Sequence, residues 1–195
     1  MVLAKGLRVL SMDSFYEKVS AIPGDKERAL IVMLYLTGAR ISEIVRELRK
    51  SDIHRVEGSI GKFLVIRIRV LKKYDIVEKI KIDEDHKKFI TKGRIEYRNV
   101  PINIEKDRRF IQLARSWIKG KGKNDILFQF NRQFAWRIVR RYGFMPHYLR
   151  HLRLTHLVSE RGFTDQDLVQ FTGWADSKPA KIYTHLRWQD IARKV

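Results

Sequence analysis

The run Thr172-Gly-Trp-Ala-Asp-Ser-Lys-Pro-Ala-Lys-Ile-Tyr183-Thr-His185 places one tyrosine close to the end of a strongly basic chain. Upstream lies Pro146-His147-Tyr-Leu-Arg150-His151, and far upstream lies Thr37-Gly-Ala-Arg40-Ile-Ser-Glu43. A phenol can act as a nucleophile, a histidine can carry a proton, and two arginines can hold the charge that builds up on a phosphate. The sequence therefore predicts a centre for metal-free phosphodiester chemistry, provided that the fold brings the three runs together.

The composition indicates one globular domain with a nucleic-acid partner. The chain has 195 residues, of which 44% are hydrophobic, so it can bury a real core. Its net charge of +19 attracts a polyanion, and nucleic acid is the polyanion we expect. Charge alone leaves open a ribosome-associated protein or a merely very soluble basic protein.

Several classes of site and location are excluded or disfavoured. The chain has no cysteine, which excludes disulfides, thiolate catalysis and cysteine-based zinc sites. Its longest apolar run, Ala29–Leu36, is too short to cross a membrane, and its N-terminus lacks the hydrophobic region of a secretion signal. We therefore expect a soluble, cytoplasmic protein without a membrane partner.

Helical signals dominate the beginning of the chain. Ser11–Ile22 has helical apolar spacing, and Asp25 is a candidate cap for a second helix. That helix runs through Ala29–Leu36, which is apolar nearly all round and is therefore expected at the centre of the core. After a break at Thr37-Gly38, apolar spacing predicts a third helix over Ile41–Leu48.

The middle of the chain, about residues 61–104, has the pattern of a small β-sheet. Phe63–Val70 alternates arginine with β-branched residues, and the pattern repeats over Ile76–Ile82 and Ile95–Ile102. The many basic residues of this sheet fit either a solvated face or a strand edge that lies against phosphates.

The rest of the chain is helical again. Predicted helices begin at or just after Asp107, Asn131, Pro146 and Thr164, and a last stretch from Lys178 carries the tyrosine. The expected fold is therefore α+β, mainly α-helical, with a small antiparallel β-sheet.

His147 and Arg150 lie three residues apart on a predicted helix and so point the same way. The planar fork of arginine suits two phosphate oxygens, and histidine exchanges a proton near neutral pH. The alternative is a surface arginine beside a residue at a helix start. His147 and His151 also have a spacing that can hold a metal ion, but no acidic or cysteine residue lies at a helpful offset, so we expect no metal.

Arg40 and Tyr183 each have an ordinary alternative role. Arg40 is either an exposed capping charge or a side chain that projects into a cleft, and Glu43 can hold it there by a charged hydrogen bond. Tyr183 is one of seven tyrosines, so a core aromatic is the default. A nucleophilic tyrosine needs neighbouring cations that favour its phenolate, and we expect two arginines in a chain of this charge to supply them.

Together the runs resemble the catalytic domain of the tyrosine recombinases, the phage-integrase and Xer-like family. Thr37–Glu43 resembles the box with the first catalytic arginine, and Pro146–His151 resembles the His-x-x-Arg box. Gly173-Trp174 stands where the family has His or Trp, and Ile182–His185 resembles the nucleophile box. The order and spacing of the boxes fit over nearly the whole chain.

The resemblance implies a role for each of these residues. Arg40 and Arg150 would bind the scissile phosphate and stabilise its transition state, and His147 would help with proton transfer. Trp174 would pack against the site, and Tyr183 would attack to leave a 3′-phosphotyrosine and a free 5′-hydroxyl. The implied activity is site-specific cleavage and rejoining of double-stranded DNA, with neither a metal nor a small-molecule cofactor.

The family also has a β-hairpin lysine that protonates the leaving 5′-oxygen. Lys72 ends a predicted strand, and its distance from Arg40 is closer to the family habit. Lys92 is followed by glycine, as in the Lys-Gly turn of Xer proteins. Lys72 is the first choice, Lys92 is the alternative, and Lys73 comes third.

The resemblance also implies an organisation and leaves rival functions. We expect a single catalytic domain over residues 1–195, with a β-rich insertion at about 61–104 and with the N-terminal core-binding domain absent. Subunits are expected to assemble on DNA as dimers or tetramers. The rivals are a type IB topoisomerase that relaxes DNA, a basic DNA-binding module that does not cut, and a general RNA-binding protein.

Overall fold

The computed structural model describes residues 9–71, 78–82, 88–92 and 96–184, and for 78–82 and 88–92 it describes the strand backbone. The helices are α1 Met12–Ser20, α2 Asp25–Thr37, α3 Ile41–Ile44, α4 Arg108–Lys119, α5 Arg132–Arg141, α6 Pro146–Arg161, α7 Asp165–Thr172 and α8 Lys181–Thr184. The strands are β1 Ile53–Gly58, β2 Gly61–Arg69, β3 Glu78–Ile82, β4 Lys88–Lys92 and β5 Tyr97–Asn103. None of the helices in these ranges is both long and apolar enough to span a bilayer.

Helix α2 lies at the centre of the core, as its uninterrupted apolar sequence predicts. Every residue from Ala29 to Thr37 is buried. The helix packs against α4 and α6. The ring of Tyr35 lies 4.4 Å from that of Phe15 on α1 and 5.0 Å from that of Phe110 on α4, measured between centroids. Burial on all sides explains why α2 has no polar face.

A buried ion-pair cluster holds α6 to the start of α4. Arg153 is 1% exposed, and its two terminal nitrogens donate to the carboxylate of Asp107 over 2.9 Å and 3.0 Å. Arg161, about two turns later on α6, donates two further hydrogen bonds to the same carboxylate. Burial raises the pKa of Asp107, but the two arginines outweigh this effect and the pKa lies below its usual value. The cluster fixes the position and rotation of α6.

The main sheet is antiparallel with the strand order β1-β2-β5, and β3 pairs with β4 in a separate antiparallel hairpin. The predicted sheet region starts too late, because β1 precedes it. This strand lies at the sheet edge with every residue after Ile53 exposed, so it lacks the apolar alternation that marks a strand. A two-residue turn between Gly58 and Gly61 joins it to β2. The three predicted strands correspond to β2, β3 and β5. Strand β4, like β1, was not predicted.

The predicted third helix, Ile41–Leu48, is wrong beyond Ile44. Val45 is extended and Arg46 takes a positive φ of 65°, which a helix does not allow. The backbone N–H of Arg46 instead donates to the carbonyl oxygen of Phe128 over 3.0 Å. Pairing with this later segment therefore replaces the second half of the helix.

The predicted helix starts at Asp107, Asn131, Pro146 and Thr164 are confirmed, and Asp107 holds the cap position of α4. The side chains of Asn131 and Thr164 accept a backbone N–H at the starts of α5 and α7, and Pro146 is the first residue of α6. The prediction for Asp25 is wrong: Gly24 holds the cap position of α2, and Asp25 is its first helical residue.

An Asp107→Asn variant tests the buried cluster. Asparagine keeps the shape but removes the charge, so the buried Arg153 and the partly buried Arg161 lose their counter-ion. We expect the free energy of unfolding, measured by urea denaturation, to fall by about 3–5 kcal/mol.

Asp13 offers a matched control, because it pairs with Arg109 at 2.5 Å on the surface. The Asp13→Asn change should cost less than about 1 kcal/mol. Equal and small losses in the two variants would contradict the role of the buried cluster.

Candidate active site

Predicted site residues from three separate runs of sequence form one connected group. The guanidinium carbon of Arg150 lies 5.3 Å from the ring centroid of Trp174. That ring stacks on Tyr183, with centroids 6.2 Å apart and planes at 21°. The charge of Arg40 is close enough to lower the pKa of Arg150. The fold thus meets the condition that the sequence alone could not test.

Arg40 takes the cap position of α3, just after the turn that ends α2. Gly38, with a φ of 56°, allows that sharp turn. The backbone N–H of Arg40 donates to Oε2 of Glu43 over 2.9 Å, and its Nη1 donates to Oε1 over 2.8 Å. Glu43 is buried, whereas 26% of the Arg40 side chain stays exposed. The predicted charged hydrogen bond is therefore present, and it leaves part of the guanidinium accessible.

Arg150 is a buried cation on α6. Its Nη1 donates to the carbonyl oxygen of Gly38 at the end of α2, and its Nη2 is buried without a hydrogen-bond partner among the described residues. Burial lowers the pKa of Arg150 to about 10, Glu43 opposes this effect, and the group stays charged at neutral pH. A buried N–H without an acceptor is costly, so Nη2 is a donor that lacks its natural partner.

Tyr183 is held as a neutral phenol. The side chain is 2% exposed, between the ring of Trp174 and the helix α6. Burial raises its pKa to about 12, and the opposing effect of Arg150 is smaller. Arg150 therefore favours the phenolate, as expected, but burial outweighs this effect and the phenol is neutral in this state. The sequence does not reveal how completely the ring is buried.

The two histidines of α6 take different positions. His147 is exposed, and its pKa is lowered by partial desolvation and by the charges of Arg150, Arg40 and Arg132. His151, one turn later, forms a hydrogen bond between its Nδ1 and the hydroxyl of Tyr183. The sequence predicted a proton-carrying role for His147 and considered its neighbour only as a metal ligand. The spacing of four residues was nevertheless a signal that both histidines lie on one helix face.

Arg98 is a functional candidate that the sequence did not single out. It is buried on β5, and its guanidinium donates to the carbonyl oxygens of Phe171 and Thr37. Its Nη2 lies 3.7 Å from Oε2 of Glu43. Its Cδ is so close to Gly173 that a Cβ there would come within 3.0 Å. The side chain therefore supports both the carboxylate that orients Arg40 and the turn that precedes Trp174.

A signal for Arg98 was present in the sequence. Along β5, Arg98 shares its inward face with Val100 and Ile102, while the residues between them are exposed. A charged residue in register with core residues must find buried partners. Burial lowers its pKa to about 10, and Glu43 raises it.

The candidate lysines are not resolved by the described residues. Lys72 and Lys73 lie outside them. Lys92 is the last residue of β4, whose backbone pairs with β3. The assignment of the catalytic lysine therefore stays a prediction.

Comparison with known proteins identifies the family. The model described as the phage integrase family matches residues 12–190. The chain belongs to the phage integrase family. This confirms the resemblance that the motifs predicted.

Curated relatives of this integrase-family chain are tyrosine recombinases. XerD of Ralstonia nicotianae is 29% identical over 186 residues, which cover 86% of this chain and 51% of that protein. XerD of Yersinia pestis is 28% identical over 180 residues, which cover 83% of this chain and 50% of that protein. The chain thus spans about half the length of the curated relatives it matches.

Solved structures show the fold of this integrase-family chain. The XerA recombinase superposes with a TM-score of 0.62 at 20% identity, and the match covers 100% of this chain and 66% of that one. XerH bound to its difH substrate superposes with a TM-score of 0.59 at 20% identity, with coverage of 95% and 53%. The predicted mainly helical α+β fold with a small antiparallel sheet is therefore confirmed.

An Arg98→Met variant tests the support that Arg98 gives to the site. Methionine fills similar space but leaves the buried carboxylate of Glu43 with one counter-ion fewer. A loss of about 3–5 kcal/mol is expected, which lowers the melting temperature by roughly 6–20 °C in calorimetry.

Arg67, on β2 of the same sheet, is the control. It is exposed and lies over the ring of Tyr97 at 4.0 Å. Its replacement by methionine should cost about 1 kcal/mol or less. If the two variants had the same melting temperature, Arg98 would be an ordinary sheet residue.

Proposed function

We propose that this chain is the catalytic domain of a site-specific tyrosine recombinase, which cleaves and rejoins double-stranded DNA through a covalent 3′-phosphotyrosine. The observation that carries the proposal is the buried Nη2 of Arg150, which has no hydrogen-bond partner among the described residues and lies in one group with Arg40 and Tyr183. A phosphate oxygen is an acceptor of the right charge for that donor. The relatives named as tyrosine recombinases favour strand exchange over relaxation by a topoisomerase.

The two arginines divide the contacts with the scissile phosphate. Arg150 is fixed by the Gly38 carbonyl and offers Nη2, while Arg40 is fixed by Glu43 and offers its exposed edge. Each is held before substrate arrives, so little reorganisation is needed when negative charge builds up on the two non-bridging oxygens. Such preorganised cations stabilise the pentacoordinate transition state more than the ground state.

The remaining residues complete the reaction. The hydroxyl oxygen of Tyr183 attacks the phosphorus, the bond to the 5′-oxygen breaks, and a lysine such as Lys72 or Lys92 protonates that oxygen. Trp174 packs against both the nucleophile and Arg150. His147 helps with proton transfer from the exposed side of α6. The covalent intermediate conserves the bond energy, so a 5′-hydroxyl can reverse the step without a metal or cofactor.

Helix α5 provides a surface for the DNA backbone. Its exposed side chains include Trp136 and Phe134, and the guanidinium groups of Arg140 and Arg137 lie 5.3 Å and 5.8 Å from the centroids of those rings. Arg132, on the same helix, is close enough to lower the pKa of His147. The basic surface therefore continues up to the active site, as expected for a protein that guides a phosphate backbone into it.

The proposal also covers the domain organisation, the DNA partner and the assembly of subunits. We expect residues 1–195 to act as one catalytic domain on DNA inside the cell, with assembly of subunits on the DNA. The XerH and Tn1549 integrase structures are complexes with DNA, which supports the choice of partner.

A Tyr183→Phe variant should abolish covalent adducts and preserve DNA binding, because phenylalanine keeps the ring but removes the nucleophile. The substrate is a pool of short random-sequence duplexes with random nicks, so that a cleaved fragment can diffuse away and trap the intermediate. Denaturing gels detect adducts, and mass spectrometry locates the phosphotyrosine. Adduct formation by the variant would contradict the assignment of the nucleophile.

An Arg150→Lys variant tests the arginine fork. Lysine keeps the charge but cannot bind two oxygens in one plane, so we expect cleavage to slow by about 10²–10³-fold at saturating protein. Single-turnover adduct formation on the duplex recovered from the pool measures the rate. Arg115→Lys on α4, an exposed position away from the site, should change the rate by less than about threefold. Equal cleavage rates for the two variants would contradict a role for Arg150 in the reaction.

A further inference from the structure

We propose that His151 is the proton acceptor of the nucleophile: its Nδ1 takes the hydroxyl proton of Tyr183 when the tyrosine attacks and returns it when the strand is rejoined. The proposal rests on the recombinase function proposed above and adds a catalytic residue to it.

The contact between the two side chains is direct. Helix α8 packs against α6, which places the ring of Tyr183 and that of His151 with centroids 5.6 Å apart and planes tilted by 30°. The hydroxyl oxygen and Nδ1 are within hydrogen-bonding distance. Within the described part of the chain, this is the one hydrogen bond that the buried hydroxyl makes. The proton therefore has a defined place to go before any substrate binds.

The protonation states of the pair fix the direction of the bond. Burial keeps the pKa of Tyr183 high, so its hydroxyl carries the proton and donates. The pKa of His151 is lowered by burial and by the charges of His147 and Arg150 on its own helix, so the ring is neutral at neutral pH and can accept. Nδ1 is then the acceptor, and the ring proton resides on Nε2. From α8, the titratable group that faces the ring is Tyr183.

Substrate binding turns this resting bond into a transfer. When Oη of Tyr183 forms its bond to phosphorus, the oxygen loses electron density and the phenol becomes a strong acid. The proton moves to Nδ1 along the existing hydrogen bond, and His151 becomes an imidazolium. The bond between phosphorus and the 5′-oxygen breaks, and a separate acid, a lysine ammonium, protonates that oxygen. In the return step a 5′-hydroxyl attacks and gives its proton to the lysine, now a neutral amine, and the leaving phenolate takes its proton back from His151.

His147 is placed for a different task. It is exposed on the turn before His151, and the charges that act on it come from Arg40, Arg150 and Arg132. These groups lie where the phosphate and the adjoining backbone are expected. His147 therefore faces the substrate oxygens, whereas His151 faces the nucleophile.

The test compares His151→Asn with His147→Asn in the full chain on a defined nicked duplex. Asparagine places an acceptor near the position of Nδ1 but cannot take up a proton, so it preserves the hydrogen bond and removes the base. The single-turnover rate of adduct formation is measured across pH. Tyr183→Phe is the control for uncatalysed background.

The wild-type rate should fall as the pH drops below a value under about 6.5, because His151 is protonated there, and it should level off at higher pH. In His151→Asn the plateau rate should be lower by about 10²-fold, and the rate should keep rising with pH as solvent takes over the proton. His147→Asn should retain the same dependence on pH as the wild type. Added imidazole should restore part of the rate of His151→Ala, whose missing ring leaves space beside the hydroxyl.

Three results would overturn the proposal in distinguishable ways. A wild-type rate and pH profile in His151→Asn, with normal adducts, would overturn the role of His151 alone. Loss of the pH dependence in His147→Asn instead would transfer the role to that residue. An absence of adducts from the wild-type chain would overturn the recombinase function itself, and the proton transfer with it.

A measurement without DNA checks the hydrogen bond separately. The His151 ring is titrated by NMR in the wild type and in Tyr183→Phe. Loss of the phenol donor removes an interaction that favours the neutral ring, so the pKa of His151 should rise in the variant. An unchanged titration would overturn the contact on which the proposal depends.

Discussion

The buried carboxylate of Glu43 holds the cationic centre together. It pairs with Arg40 at 2.8 Å and with Arg98 at 3.7 Å, and its charge opposes the fall in the pKa of Arg150. Three guanidinium groups in one partly buried region repel one another, and burial lowers the pKa of two of them to about 10. A single carboxylate offsets part of this charge and leaves the centre positive. A second carboxylate would neutralise the cations that the proposed phosphate transition state requires.

Helix α6 carries two buried arginines whose environments differ in one respect. Arg153 has its charge and its terminal nitrogens satisfied by Asp107, so it contributes to the rigidity of the fold. Arg150, one turn earlier, has one terminal nitrogen on the Gly38 carbonyl, and the other has no partner in the described part of the chain. The pairing of Arg153 with Asp107 fixes the helix, and that rigidity keeps Arg150 in place. The arginine that fixes the fold and the arginine proposed to bind phosphate are thus distinguished by their partners and not by their burial.

Much of this architecture could be predicted from the sequence, because local patterns determine it. The caps at Asn131 and Thr164, the apolar helix α2 and the ordered boxes are all local signals. Strand β1 was missed because an exposed edge strand has no apolar alternation. The protonation of Tyr183 and its contact with His151 could not be predicted, since both depend on how α8 packs on α6. The burial of Arg98 was visible in its register with Val100, but its partners come from distant elements.

The unpaired Nη2 of Arg150 also links the stability of the domain to its occupancy. Among the described residues this buried donor has no acceptor, which carries a desolvation cost, and an anion that supplies the acceptor removes that cost. Any ligand that binds the folded state and not the unfolded one shifts the folding equilibrium in proportion to the logarithm of its concentration. This donor is therefore a local weak point of the fold, and under the proposed function a DNA phosphate that accepts from it would also stabilise the folded domain.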